Sequence, residues 1–115
     1  MTDREKRLYT EKAKIFKALG HPTRLWITEK LAHGECCVCE FVDAVDVDFS
    51  TISKHLSVLK QAGIVEDEKR GKQIFYRLKV PCLLKFMHCV ESVIEAQARD
   101  RLNIHSELIP TLVTP

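Results

Sequence analysis

The sequence predicts a mainly α-helical chain with one small β-hairpin, ordered as a winged helix-turn-helix. Three observations carry this. Apolar residues recur at helical spacing in successive blocks separated by Gly, Pro or Asp. A polar-faced helix, "STISKHLSVLKQAG" at 50–63, follows a short helix and a tight connection. Two strands joined by a basic turn, "IVEDEKRGKQIFYRL" at 64–78, come directly after it.

The first helix spans 4–19, with Leu8, Tyr9, Ala13, Ile15, Phe16 and Leu19 as an apolar stripe. "GHP" at 20–22 stops it: Gly20 suits a C-terminal cap and Pro22 the first position of the next helix. That second helix carries Leu25, Trp26, Ile27 and Leu31 and ends at Gly34. A short third helix over 38–45 places Phe41, Val42 and Val45 inward, and "DVD" at 46–48 turns the chain, with Asp48 or Ser50 as the next cap. In the fourth helix Ile52, Leu56 and Leu59 point inward together. Two strands then meet at Arg70–Gly71–Lys72. A last helix over 82–100 has Leu83, Met87, Val90, Ile94 and Gln97 at heptad-like spacing. The expected organisation is one domain at 1–103 and a weakly patterned tail at 104–115.

Composition narrows the function. The chain has 115 residues, 45% hydrophobic and 30% charged, as in folded soluble proteins rather than disordered ones. No stretch has the roughly 18 apolar residues of a membrane span, and the N-terminal residues lack a signal-peptide pattern. No membrane partner and a reducing cytoplasmic location are therefore expected. The net charge of +2 excludes no partner, because distribution matters more than total.

Distribution points to double-stranded DNA. Ser50, Thr51, Ser53, Lys54 and Ser57 lie on the polar side of the fourth helix, and Lys60 near its end. Hydroxyls suit base edges or phosphates, and lysines suit phosphates or guanine. Lys69, Arg70 and Lys72 surround a glycine at the hairpin tip, as a phosphate probe requires. A polar helix face alone equally suits solvent, and the basic hairpin decides between the two. "EDE" at 66–68 is placed on the rising strand, away from phosphate. His55, near the apolar side, packs or orients rather than reading bases. The broad apolar faces of the two terminal helices predict a homodimer closed by them, which would set two recognition helices one DNA turn apart.

Five cysteines mark the chemistry, three of them in "HGECCVCEF" at 33–41. An odd number without a secretion signal predicts no disulfide framework, so these thiols are buried, metal-bound or redox-active. Thiolates select soft, thiophilic ions, and a tetrahedral zinc site usually needs a second separated ligand pair that this chain lacks. On a regular helix Cys37 and Cys39 point about 200° apart, so binding one small ion with both should unwind the first turn. Cys36 and Cys39 would share a face. Cys82 and Cys89, seven apart on the last helix, form either a second thiol site or two small core residues. His21, His33 and His105 have no partner at ligand spacing and suit surface or capping positions.

The stretches "KALGHPTRLWITEKL" (17–31), "ECCVCEFVDAV" (35–45), "STISKHLSVLKQAGIV" (50–65) and "KRGKQIFYRL" (69–78) resemble the ArsR/SmtB family of metal-sensing repressors over roughly 8–98. "CVCE" at 37–40 is similar to the motif of its arsenite-responsive branch. The resemblance implies a repressor that holds operator DNA without ligand and is released by trivalent arsenic or antimony, with no cofactor needed for folding. It implies Cys37 and Cys39 as ligands. The third cysteine of the branch is replaced by Val42, so the remaining ligand is Cys36, an outside thiol or a thiol from elsewhere. His88 and Glu91 have the spacing of the family's zinc sensors, but the upstream Asp-x-His partner is absent. Rivals on the same scaffold are a sensor of another soft metal and a redox or persulfide sensor pairing Cys37 with Cys39 or Cys89. An enzyme with a cysteine nucleophile lacks a base and an oxyanion site.

Overall fold

The element order follows from how each segment starts and stops. The computed structural model describes residues 1–44 and 47–108, with side chains to residue 103. Helix α1 (Asp3–Leu19) starts where Thr2 Oγ1 accepts the Glu5 N–H at 3.1 Å. Helix α2 (Pro22–Ala32) has proline in its first turn and His21 as its cap, whose Nδ1 accepts the Thr23 N–H at 3.1 Å. A two-residue strand β1 (Cys36–Cys37) leads into α3 (Val38–Ala44). Helix α4 (Phe49–Gln61) is capped by Asp48, which accepts the Thr51 N–H at 2.8 Å. Strands β2 (Val65–Arg70) and β3 (Gln73–Leu78) form the wing, joined through Gly71 at φ +63°, a left-handed position that glycine takes without a Cβ clash. Helix α5 (Leu83–Leu108) closes the described chain.

Two features differ from the sequence expectation. The hairpin is part of a three-stranded antiparallel sheet in the order β1-β3-β2, with Cys36 opposite Tyr76 and Cys37 opposite Phe75. The last helix begins at Leu83 and continues to Leu108, well past 100. Val45 and Asp46, placed by the sequence in the third helix and the turn, lie outside the described residues, as do the tail after 108 and the side chain of His105.

The chain falls into two compact units, Met1–Leu83 and Leu84–Pro115. In the first, Ile27 of α2, Phe41 of α3, Ile52, Leu56 and Leu59 of α4, and Ile64 and Val65 around the start of β2 are fully buried. The three inward residues of α4 are those its i, i+4, i+7 spacing selects, so its opposite face is left to solvent. The Trp26 ring meets Phe41 edge-on at 5.9 Å, fixing α3 against α2. In α1, Leu8, Tyr9 and Ile15 are exposed. In α5, considered alone, Val93, Ile94 and Leu102 are exposed. Among the described residues no helix is long and apolar enough to cross a membrane.

Candidate functional site: a thiol pair beside a nucleic-acid interface

The recognition helix offers the face the sequence predicts. Ser50, Lys54, Ser57 and Lys60 are exposed, and Thr51 and Ser53 are partly covered. Ser50 Oγ donates to Asp48 Oδ1 at 3.1 Å, so this hydroxyl helps the cap. Hydrogen bonds from Thr51, then from Ser50, hold the Asp48 carboxyl below its ordinary pKa. Lys60 Nζ reaches Asp67 Oδ2 at 3.0 Å and ties the end of α4 to β2. Lys54 and Lys72 are exposed and make no salt bridge among the described residues.

The inner edge of α4 is anchored by a histidine. Arg24 Nη1 donates to His55 Nδ1 at 3.3 Å, since guanidinium has donors only, and the His21 ring lies 4.5 Å from that of His55. Accepting at Nδ1 requires the neutral ring with its proton on Nε2. Burial first, then the charges of His21 and Arg24, push the His55 pKa down, consistent with that form. His55 thus packs and orients, as its angular position suggested.

The wing differs from the sequence picture. Arg70 is paired at both terminal guanidinium nitrogens: Nη1 with Glu35 Oε1, Nη2 with Glu35 Oε2 at 3.1 Å and with Glu68 Oε2 at 2.8 Å. Its guanidinium also lies 4.8 Å from the Phe75 ring centre. Arg77 joins Glu68 at 2.7 Å and Glu66 at 3.3 Å. The acidic residues at 66 and 68 therefore balance wing arginines across the register that sets Glu66 opposite Arg77 and Glu68 opposite Phe75. Arg70 lowers the pKa of Glu35, and Arg70 with Arg77 that of Glu68. Lys69 and Lys72, on either side of Arg70 and Gly71, are wing cations left exposed with no salt bridge among the described residues.

The cysteine cluster is also arranged differently. Cys37 belongs to β1, not to a helix, and α3 starts only at Val38. The helical 200° separation does not apply, and Cys37 and Cys39 come together as a disulfide with Cα atoms 5.5 Å apart. No unwinding of a helical turn is needed to join them. The Cys37 N–H donates to Glu40 Oε2 at 2.7 Å, the return half of a capping box, with Cys37 in the cap position.

Strand alternation separates the neighbouring thiol. Cys37, Val38 and Cys39 line a recess of 190 Å³ completed by Phe49, Lys72, Gln73 and Ile74. Cys36 instead lines a second recess with Lys30, His33, Gly34 and Glu35, and its Sγ lies 3.6 Å from the Gly34 carbonyl. Burial, then the charge of Glu40, raises the Cys36 pKa, which favours the inert thiol. Cys82 stands just before α5 rather than on it, and Cys89 is on α5; both are exposed. His88 Nδ1 lies 3.6 Å from Glu91 Oε2, both exposed. Among the described residues no three His, Cys, Asp or Glu side chains converge as a metal site.

Sequence reasoning missed Glu35, Glu40, Phe49 and Arg77. Glu40, three residues after the cap, was the one with a local signal. The others depend on cross-strand and inter-element placement.

The short helix, the exposed recognition face and the wing define a DNA-binding transcriptional regulator. Residues 21–67 match the family described as bacterial regulatory protein, arsR family. The chain is 36% identical over 97 residues to the biofilm growth-associated repressor of Xylella fastidiosa, covering 84% of each. It is 43% identical over 65 residues to the arsenical resistance operon repressor of Escherichia coli, covering 56% of each. A solved homodimeric winged helix-turn-helix DNA-binding domain from Mycobacterium bovis superposes with a TM-score of 0.73 at 29% identity, over 87% of this chain and 93% of that one. The chain belongs to the ArsR family, and its winged helix-turn-helix fold is that family's.

Proposed function

We propose that this chain is a homodimeric repressor that holds operator DNA through α4 and the wing tip and is released when trivalent arsenic or antimony binds the reduced thiols of Cys37 and Cys39. One observation carries the reading. The two sulfurs meet on the wall of a recess whose other walls are Phe49, the first residue of α4, and Lys72, Gln73 and Ile74 of the wing. A ligand on the sulfurs therefore touches both DNA-contacting elements directly. Likeness to the arsenical resistance operon repressor favours arsenic as the inducer. Thiophilic ions suit this donor pair, with a third ligand from outside the pair.

DNA contact is assigned to Ser50, Thr51, Ser53, Lys54, Ser57 and Lys60 on α4 and to Lys72 on the wing, with Arg70 contributing through its ion pairs. Exposed Leu8, Tyr9 and Ile15 on α1 and Val93, Ile94 and Leu102 on α5 support dimerisation through those helices, since burial against a symmetry mate removes that apolar area from water.

A second reading is favoured by the disulfide itself. Peroxide takes two electrons and two protons from the Cys37 and Cys39 thiols and leaves as two waters, joining the sulfurs as in the structure. The two readings separate in one experiment. Operator-length DNA is bound by the reduced protein and followed by fluorescence anisotropy while arsenite, zinc, sulfide and peroxide are added in parallel. Arsenite release that is lost in Cys37→Ser/Cys39→Ser, with DNA binding retained, supports the arsenic reading. Release by peroxide alone supports the redox one. Unchanged arsenite release in the double variant removes both cysteines from the sensing role.

A further inference from the structure

Helix α4 has the wing on one flank and a basic recess on the other. Taking Lys54 as the centre of its outward face, at about 100° per residue, Lys60 and Phe49 lie about 120° and 140° to one side. Both meet the wing: Lys60 pairs with Asp67 of β2, and Phe49 shares a recess with Lys72 and Ile74. Val58 and Ala62 lie about 40° and 80° to the other side. There, with Ala18 of α1, they floor a recess of 320 Å³ whose rim carries Lys14, Lys17 and Arg24. The Gln61 amide completes the lining, and no acidic side chain among the described residues lines it.

The three cations are held differently. Lys17 is exposed and makes no salt bridge among the described residues. Lys14 pairs with Glu11 at 2.9 Å, but both side chains are mostly in water, so an incoming anion competes readily with that contact. Arg24 is set in place: its Nε donates to the Ala18 carbonyl and its Nη1 to His55 Nδ1, while Nη2 has no partner among the described residues. The Nε contact also covers a carbonyl in the last turn of α1, whose partial negative charge would otherwise repel an anion. Cations above an apolar floor suit a ligand that joins an anionic group to an apolar one. A nucleic-acid backbone does so at every residue, with a phosphate beside the C–H face of a deoxyribose.

We infer that this recess seats a phosphate of the operator backbone between Lys17 and Arg24, with the adjoining deoxyribose against Val58 and Ala62. The inference rests on α4 entering the major groove. A helix there lies between two phosphate strands bounding a groove about 12 Å wide. The wing on one flank reaches one strand with Lys72, and the recess on the opposite flank faces the other. The two contacts clamp α4 across the groove, and the recess fixes register without reading sequence. Neither Lys14 nor Lys17 stands out in the sequence, because each belongs to the polar side of α1 and meets α4 only in the fold.

The test uses the reduced full chain and operator-length DNA, followed by fluorescence anisotropy over a range of salt. Lys17→Ala is expected to lower affinity roughly three- to tenfold, by similar factors on operator and unrelated duplex, and to reduce the salt slope by about 1 per bound protomer. Lys17→Arg should stay within about twofold, since either cation meets a phosphate. Lys6→Ala makes the same charge change on α1 outside the recess and should also stay within about twofold, because screening mutes distant charge. Single phosphates are then replaced by uncharged methylphosphonates along each strand. One position should cost wild type and Lys72→Ala alike yet cost Lys17→Ala nothing, and the position coupled to Lys72 should lie on the other strand. If Lys17→Ala behaves as Lys6→Ala does, or if no position loses its cost in Lys17→Ala, the recess is not a phosphate seat. DNA contact through α4 and the wing survives that outcome as long as Lys54→Glu and Lys72→Ala still weaken binding. If those two variants bind as wild type does, that assignment fails and the clamp fails with it.

Discussion

The recognition helix and the wing are both written in the sequence as basic or hydroxylic elements, yet they present charge in opposite ways. Helix α4 is anchored from within. Asp48 caps it, His55 receives Arg24, Lys60 is held by Asp67, and Ser50, Lys54 and Ser57 remain outward. The wing spends its arginines on itself. Arg70 and Arg77 are bound to Glu35, Glu66 and Glu68, and Lys69 and Lys72 beside the turn are left to solvent. A count of cations therefore overstates what the wing can offer a phosphate. Availability to a phosphate depends on which carboxylates the fold brings beside each cation.

The largest effect expected from this contrast is at Lys54. Lys54→Glu places a negative charge in the middle of the outward face and should lower operator affinity roughly 30- to 100-fold, with Lys54→Ala losing less. Anisotropy titrations at several salt concentrations check this, since Lys54→Ala should reduce the salt slope by about 1 if the lysine meets a phosphate. At the wing, Lys72→Ala should cost a smaller factor, roughly three- to tenfold, with a similar change in slope. If Lys72 proves the more costly of the two, the contrast is reversed and the wing is the principal contact.

A third effect tests the inner anchor of α4. The folded His55 pKa is depressed by burial and by neighbouring charge, so the unfolded chain takes up a proton first as pH falls. Stability from the neutral ring is thus present above the ordinary histidine pKa of about 6.5 and is lost as pH falls below it. Urea unfolding followed by circular dichroism between pH 8 and 5 should show this decline. His55→Gln keeps an acceptor for Arg24 and should flatten the curve. A decline of the same size in the variant assigns the effect elsewhere.

The fold was legible where a segment carries its own signal. The i, i+4, i+7 spacing of Ile52, Leu56 and Leu59 selected the buried face of α4, and "GHP" marked the break before α2 to the residue. What stayed hidden depends on distant partners. Strand β1 has two residues, too few to show a period, and exists because β3 pairs with it nearly forty positions later. The expected start of the third helix at 38 matches α3, but with β1 unseen Cys37 is treated as if it continued that helix. That reverses the geometry of the site, because Cys37 on a strand meets Cys39 whereas Cys37 on a helix faces away. The same limit hid the pairing of Glu35 with Arg70, since nothing local ties a residue before β1 to the end of β2.

The smallest effect is the most diagnostic of that hidden pairing. If Arg70 is occupied by Glu35 and Glu68, Arg70→Gln should change operator affinity by less than about twofold, although its position at the wing tip predicts a phosphate contact as strong as that of Lys72. Glu35→Gln tests the converse. It removes one carboxylate from Arg70, leaves Glu68 in place, and should raise DNA affinity slightly at low salt and not at high salt, where screening removes the difference. Glu35 also immediately precedes the strand that carries Cys36 and Cys37, so its contact with Arg70 links the thiol segment to the wing. Under the proposed arsenic response, Glu35→Gln should therefore weaken DNA release by arsenite while leaving arsenite binding at the cysteines intact. If Arg70→Gln instead costs as much as Lys72→Ala, the ion pairs give way on DNA, and Arg70 engages phosphate alongside Lys72.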